Sequence, residues 1–147
     1  MINHTEQRIM AIDYGTKRIG IAISDPLCLF PSITLTINND HNLITNLLKL
    51  IVEKKVNTIV LGFPDYTGQK TSSIAEKILM FKDTIQKRKN IKIELWDENM
   101  TSSLASDRII ASVTKKSKRQ NKGLIDAHSA AIILEDYLRS NSKKMSN

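Results

Sequence analysis

The sequence predicts an α/β domain built on a mixed five-stranded sheet with helices on both faces. Three observations predict it. Three short runs of strand character open the chain, which then alternates between helical and strand periodicity down to a final helix. Residues 56–61 form an apolar run with no polar alternation, the mark of an interior strand covered on both sides. The chain has 147 residues, 41% hydrophobic and 25% charged, which suits one soluble domain with its own core. No apolar run is long enough to cross a bilayer, and the first eight residues are mostly polar, unlike a secretion signal.

Taken in order, residues 9–12 form a strand that ends at Asp13, Gly15 allows a tight turn, and residues 19–23 return as the second arm of a hairpin. A loop over residues 26–31 leads to a third, half-exposed strand at 32–37, where Ile33, Leu35 and Ile37 alternate with polar residues. Asn39 and Asp40 are placed to cap a helix whose Ile44, Leu47, Leu48 and Ile51 share one face. After the interior strand comes a loop at 63–70 holding Pro64, Asp65 and Gly68. Ile74, Ile78, Phe81 and Ile85 then mark a second helix.

Ile91, Ile93 and Leu95 alternate through a fifth strand that runs into Asp97 and Glu98. Thr101 or Ser102 caps a helix to about residue 113, and Gly123 precedes a last helix over 124–138 whose apolar residues ring much of its surface. One domain spans 1–147, with flexible tails expected at 1–7 and 140–147.

Charge points to an anionic partner. The formal net charge is +7 and the pI about 9.6, which favours nucleic acid. Lys115, Lys116, Lys118, Arg119 and Lys122 crowd together with no acid among them, and repel one another unless phosphate is near. Lys17 and Arg18 stand in the first turn, where they can also meet a phosphate. A second basic group, Lys82, Lys87, Arg88, Lys89 and Lys92, is assigned to a solvated helix end. The single cysteine, Cys28, excludes an internal disulfide, fits a reducing cytoplasm and is expected to be a small buried hydrophobe.

In such sheets ligands collect at the carboxyl ends of strands, and Asp13, Asp65, Asp97 and Glu98 all fall there. Asp13 can hold a divalent cation or cap its own turn. Asp126, in the first turn of the last helix, either answers the helix dipole or ligates a metal. An acid on an apolar helix costs desolvation unless a cation compensates it, which favours the ligand. His128 is two residues on and points elsewhere, so it belongs to the core or behind the ligands. His4 and His41 carry no signal. Asp97 and Glu98 must point to opposite sides of a continuing strand, and spacing does not say which shares the side of Asp13.

Four blocks carry a resemblance. They are Asp13-Tyr14-Gly15-Thr16-Lys17-Arg18-Ile19-Gly20 with Ser24-Asp25-Pro26; Val60-Leu61-Gly62-Phe63-Pro64; Trp96-Asp97-Glu98 with Thr101-Ser102; and Ile125-Asp126 with Leu134-Glu135-Asp136-Tyr137-Leu138. In that order they resemble the YqgF (RuvX-like) family, over residues 8–138. Members are described as pre-16S rRNA nucleases or Holliday-junction-resolvase-like proteins. The resemblance implies an RNase H-like fold, a cytoplasmic bacterial protein, and Mg²⁺- or Mn²⁺-dependent phosphodiester cleavage at the 5′ end of the small-subunit rRNA precursor.

Carried over by position, the family's acids fall on Asp13, Glu98 and Asp126. Two departures bear on substrate contacts: Asn99 stands where the family has Arg, and Asp65-Tyr66-Thr67-Gly68 replaces its usual loop. The alternatives are a junction resolvase acting on branched DNA, which needs a dimer, and a non-catalytic RNA-binding assembly factor. An ATPase half of the sugar-kinase type is disfavoured, because it needs two such domains. The expected state is a monomer or weak homodimer with no membrane partner. Substrate choice, endo- or exonucleolytic cutting and the number of metals stay open.

Overall fold

The computed structural model describes residues 6–64, 73–97 and 122–145, the last stretch with side chains at 127–141. Five strands form one sheet: β1 (Arg8–Tyr14), β2 (Arg18–Ser24), β3 (Pro31–Asn38), β4 (Val56–Phe63) and β5 (Lys92–Asp97). Their order is β3-β2-β1-β4-β5. β1, β2 and β3 pair antiparallel, while β4 and β5 run parallel to β1. The expected mixed sheet is present, with β1 at its centre.

Alternation along β1 divides the core in two. Met10 and Ile12 point to one face with Ile19, Ile21, Ile23, Ile59 and Leu61, where α1 (Leu43–Glu53) and α2 (Ser73–Arg88) cover them. Ile12, Ile21, Ile59 and Leu61 are wholly buried, each contributing roughly 1.5–3 kcal/mol of transfer free energy. On the other face Ala11, Ala22 and Val60 lie in register across β1, β2 and β4. Their small side chains make room for α3 (Lys122–Met145), which lays Ala130, Ile133, Leu134, Tyr137 and Leu138 against them.

Several details differ from expectation. α1 begins at Leu43, and its flanking residue Asn42 makes no side-chain cap. Asp40 instead accepts the Asn42 N–H through Oδ1, and Asn39 turns to the β1–β2 connection. The buried faces of α1 and α2 are rotated slightly, so Leu43 and Ala75 are buried while Ile44 and Ile74 are half-buried. α3 runs on to Met145, so the backbone helix continues past residue 140, and Lys122 is its first residue rather than part of the preceding loop. Packing, not propensity, decides this length, because Tyr137 and Leu138 anchor the helix just before its polar end. The helix expected near 102–113 lies outside the described residues.

Cys28 is half-buried rather than buried, because it occupies a left-handed backbone position (φ 57°) in the loop after β2. Its Sγ donates to the Gln7 carbonyl at 3.2 Å. The loop is fixed by Asp25, whose carboxylate accepts N–H groups from Leu27, Leu29 and Phe30 at 3.1, 2.7 and 2.9 Å. Burial pushes the Asp25 pKa up, but those backbone donors pull it further down, and the net effect lies below its ordinary value of 3.8.

Candidate active site

Asp13 is the penultimate residue of β1, half-buried at the carboxyl end of the central strand. Across the antiparallel pair it faces Gly20. On its other side the parallel register pairs Ile12 with Leu61, which sets Gly62 beside Asp13. The carboxylate therefore stands between two residues that have no side chain. Neighbouring strands usually fill such positions, and here neither one sets a side chain over Asp13.

The connection after Asp13 is braced from a distance. Gly15 packs so tightly that a Cβ there would meet the Arg18 carbonyl oxygen at 2.3 Å, which only glycine avoids. Asn39 donates Nδ2 to the Gly15 carbonyl at 2.8 Å, and its own backbone N–H donates to the Lys17 carbonyl at 2.9 Å. That double hold fixes the turn carrying Lys17, which is exposed, and Arg18, which is half-buried. Arg18 lies two residues before Gly20 and so shares the face of Asp13. No sequence signal announces Asn39, since its partners are more than twenty positions away.

The register also separates the paired acids. Phe63 pairs with Asp97 and Gly62 with Trp96, so Trp96 is level with Asp13 and on its face. Asp97 therefore lies on the opposite face. Trp96 meets Tyr137 of α3 edge to face, with ring centroids 5.4 Å apart. Tyr137 donates its hydroxyl to Glu94, and burial followed by that carboxylate raises its pKa above 10.0.

α3 has a defined direction over this face. Its turns at Glu135, Leu138 and Arg139 line a cavity with Cys28, Leu29, Phe30 and Pro31, at the end of the sheet where β1 begins. Asp126 is twelve residues before Leu138, about 18 Å back along the axis at 1.5 Å per residue. The backbone of the first turns thus lies towards the end of the sheet that carries Asp13. His128 is half-buried.

The remaining expected site residues divide plainly. Glu98, Lys115, Lys116, Lys118 and Arg119 lie outside the described residues, as does Asp65, and the side chains of Lys122 and Asp126 do too. Among the described residues no three acidic, histidine or cysteine side chains stand together as metal ligands. Asp13, Lys17 and Arg18 are the members seen with side chains, gathered at one turn.

Comparison with known proteins gives three agreeing results. A family model described as "RuvX: Holliday junction resolvase" matches residues 7–140. A Bacteroides thetaiotaomicron protein named "Putative pre-16S rRNA nuclease" is 39% identical over 134 residues, covering 90% of this chain and 96% of that one. One of the same name from Phocaeicola vulgatus is 38% identical over the same shares.

Among solved structures, Thermus thermophilus RuvC in complex with a Holliday junction substrate superposes with a TM-score of 0.62 at 10% identity, over 92% of this chain and 97% of that one. The fowlpox virus Holliday junction resolvase gives 0.58 at 14% identity, over 90% and 99%. Those likenesses show the fold, which is RNase H-like.

Proposed function

The chain belongs to the RuvX family, and from that premise we propose that it is a metal-dependent nuclease that trims the 5′ end of the precursor of 16S rRNA. The observation that carries the proposal is the placing of Asp13: a half-buried carboxylate ending the central strand between Gly20 and Gly62.

Asp13, Glu98 and Asp126 are the proposed catalytic acids and metal ligands. Two structural facts support the set. Asp97 is on the face away from Asp13, which leaves Glu98, the other acid of the pair, as the candidate. The direction of α3 brings its early turns, with Asp126, towards the same end of the sheet.

The donor set fits Mg²⁺ or Mn²⁺, because carboxylate oxygens suit hard cations and the flanking glycines leave room beside Asp13. When bound, such a cation supplies Lewis-acid polarisation of the phosphate and a hydroxide nucleophile near neutral pH. The chain's own part is positional. Asp13 supplies fixed negative charge on a rigid strand, and the Asn39-braced turn holds Lys17 and Arg18 where they can grip the phosphates on either side of the cut.

Lys115, Lys116, Lys118, Arg119 and Lys122 extend that grip along the strand without reading its sequence. No helix among the described residues is long and apolar enough to cross a membrane, and the proposed place of work is the cytoplasm, where rRNA matures.

Cleavage assays decide the matter. Wild type and Asp13→Asn are given a 5′-extended 16S precursor fragment and a four-way DNA junction, each with Mg²⁺, Mn²⁺ or chelator. The proposal expects metal-dependent cutting of the RNA by wild type and none by the variant. Preferential, symmetric cutting of the junction establishes the resolvase reading instead. Precursor binding without cutting of either substrate establishes the assembly-factor reading.

A further inference from the structure

Tyr14 follows Asp13 directly, so alternation sends its ring to the other face of the sheet. There it helps line a cleft of about 290 Å³ between α1 and α2, together with His41, Leu43, Lys77, Met80 and Phe81. The base of the cleft is apolar. Leu43 and Phe81 are buried, and the Tyr14 ring packs on Phe81 with centroids 5.2 Å apart. Met80 caps one wall and is 69% exposed.

The polar groups at the rim fall into two classes. Asn39 and Asp40 are engaged, the first with the Gly15 carbonyl and the second with the Asn42 N–H. The Tyr14 hydroxyl, the His41 imidazole and the Lys77 ammonium have no hydrogen-bond or ion-pair partner among the described residues. An apolar floor with a few converging, uncommitted polar groups is the usual make-up of a small-molecule site. The volume suits a planar base with its sugar, and Lys77 supplies the charge that a phosphate needs.

We propose that this cleft is a nucleotide subsite: it holds a base adjacent to the cleavage point of a single RNA strand, stacked against Met80, Tyr14 and Phe81, with Lys77 on its phosphate. Position connects it to the reaction. The Cα atoms of Asp13 and Tyr14 are one peptide apart, 3.8 Å, so a strand draped over the end of β1 passes from one face to the other at this point. Stacking tolerates any base, so the subsite adds affinity and register rather than sequence preference. The inference rests on the nuclease reading above, and it assigns that site a feature outside the carboxylate group.

The test uses the full chain and a short single-stranded RNA. Lys77→Glu is expected to raise the RNA dissociation constant about tenfold, and His41→Ala to raise it less. Lys49→Glu, an exposed residue of α1 that does not line the cleft, makes the same change of net charge and is expected to have little effect. Asp13→Asn carrying RNA with 4-thiouridine placed near the cut is expected to photo-crosslink at Tyr14 or Met80. Equal weakening by Lys77→Glu and Lys49→Glu, or crosslinks confined to other segments, overturns the proposal.

The two failures separate cleanly. Metal-dependent cutting with Lys77-independent binding removes the subsite and keeps the nuclease. Lys77-dependent binding and crosslinking without cutting keeps the cleft as an RNA site and removes the nuclease.

Discussion

Asp13 and Gly20 face one another across the β1–β2 pair, so the cross-strand neighbour of the central carboxylate has no side chain. Gly20→Val fills that position. Because displacement of a reacting group by about 1 Å can cost about a hundredfold in rate, cleavage should fall by that order, with a folding cost of about 1–3 kcal/mol from overpacking. Steady-state cleavage alongside thermal melting checks both. Wild-type turnover in Gly20→Val would show that the space is unused.

The neutral replacements of the four acids should not behave alike. Asp13→Asn, Glu98→Gln and Asp126→Asn should each lower metal-dependent cleavage by at least about a hundredfold, since loss even of groups behind metal ligands costs 10–100-fold. Asp97→Asn, on the other face of β5, should stay within a few-fold of wild type. If Asp97→Asn is dead and Glu98→Gln active, the assignment of the pair is reversed.

Asp25 should make stability depend on acid. Its pKa lies below 3.8 in the folded chain, so its contribution is complete above 3.8 and is lost as pH falls through the folded value. Asp25→Asn should cost about 1.5–3 kcal/mol at neutral pH, the worth of hydrogen bonds to a charged group. The gap between variant and wild type should close in acid. Denaturant melts from pH 7 downwards measure it, and a gap that persists below the folded pKa contradicts the role.

RNA binding should weaken steeply with salt. Each phosphate contact made by the basic segment contributes about 0.7 to the slope of log affinity against log salt for a single strand. Replacing Lys115, Lys116, Lys118 and Arg119 together by Ala should flatten the slope by up to about 2.8. Filter binding over a salt series measures this, and an unchanged slope would place the RNA elsewhere on the surface.

Much of the fold was legible because periodicity records burial directly. The β4 run without alternation is interior, and the apolar stripe of α2 with Ile78, Phe81 and Ile85 packs as its spacing implies. What escaped was set by distance in the chain. Asn39 looked like a helix cap, yet its amide serves a turn formed far earlier, and only the pairing of β2 with β3 brings the two together. Asp25 sat in a recognisable Ser-Asp-Pro block, but its three backbone donors arise from the shape of the following loop. The side on which Asp97 lies needed the register of β5 against β4, which alternation alone does not supply.

The face of the sheet that carries Ala11, Ala22 and Val60 is covered by α3, the last of the described elements. During synthesis the cover that α3 gives that greasy surface cannot form until residues 122–138 have left the ribosome. Transcripts broken before codon 122 would yield products with a half-dressed sheet, sticky and prone to degradation, and none would carry Asp126. Incomplete copies would thus lack both this cover and one of the proposed ligands, because of the order in which the chain is made.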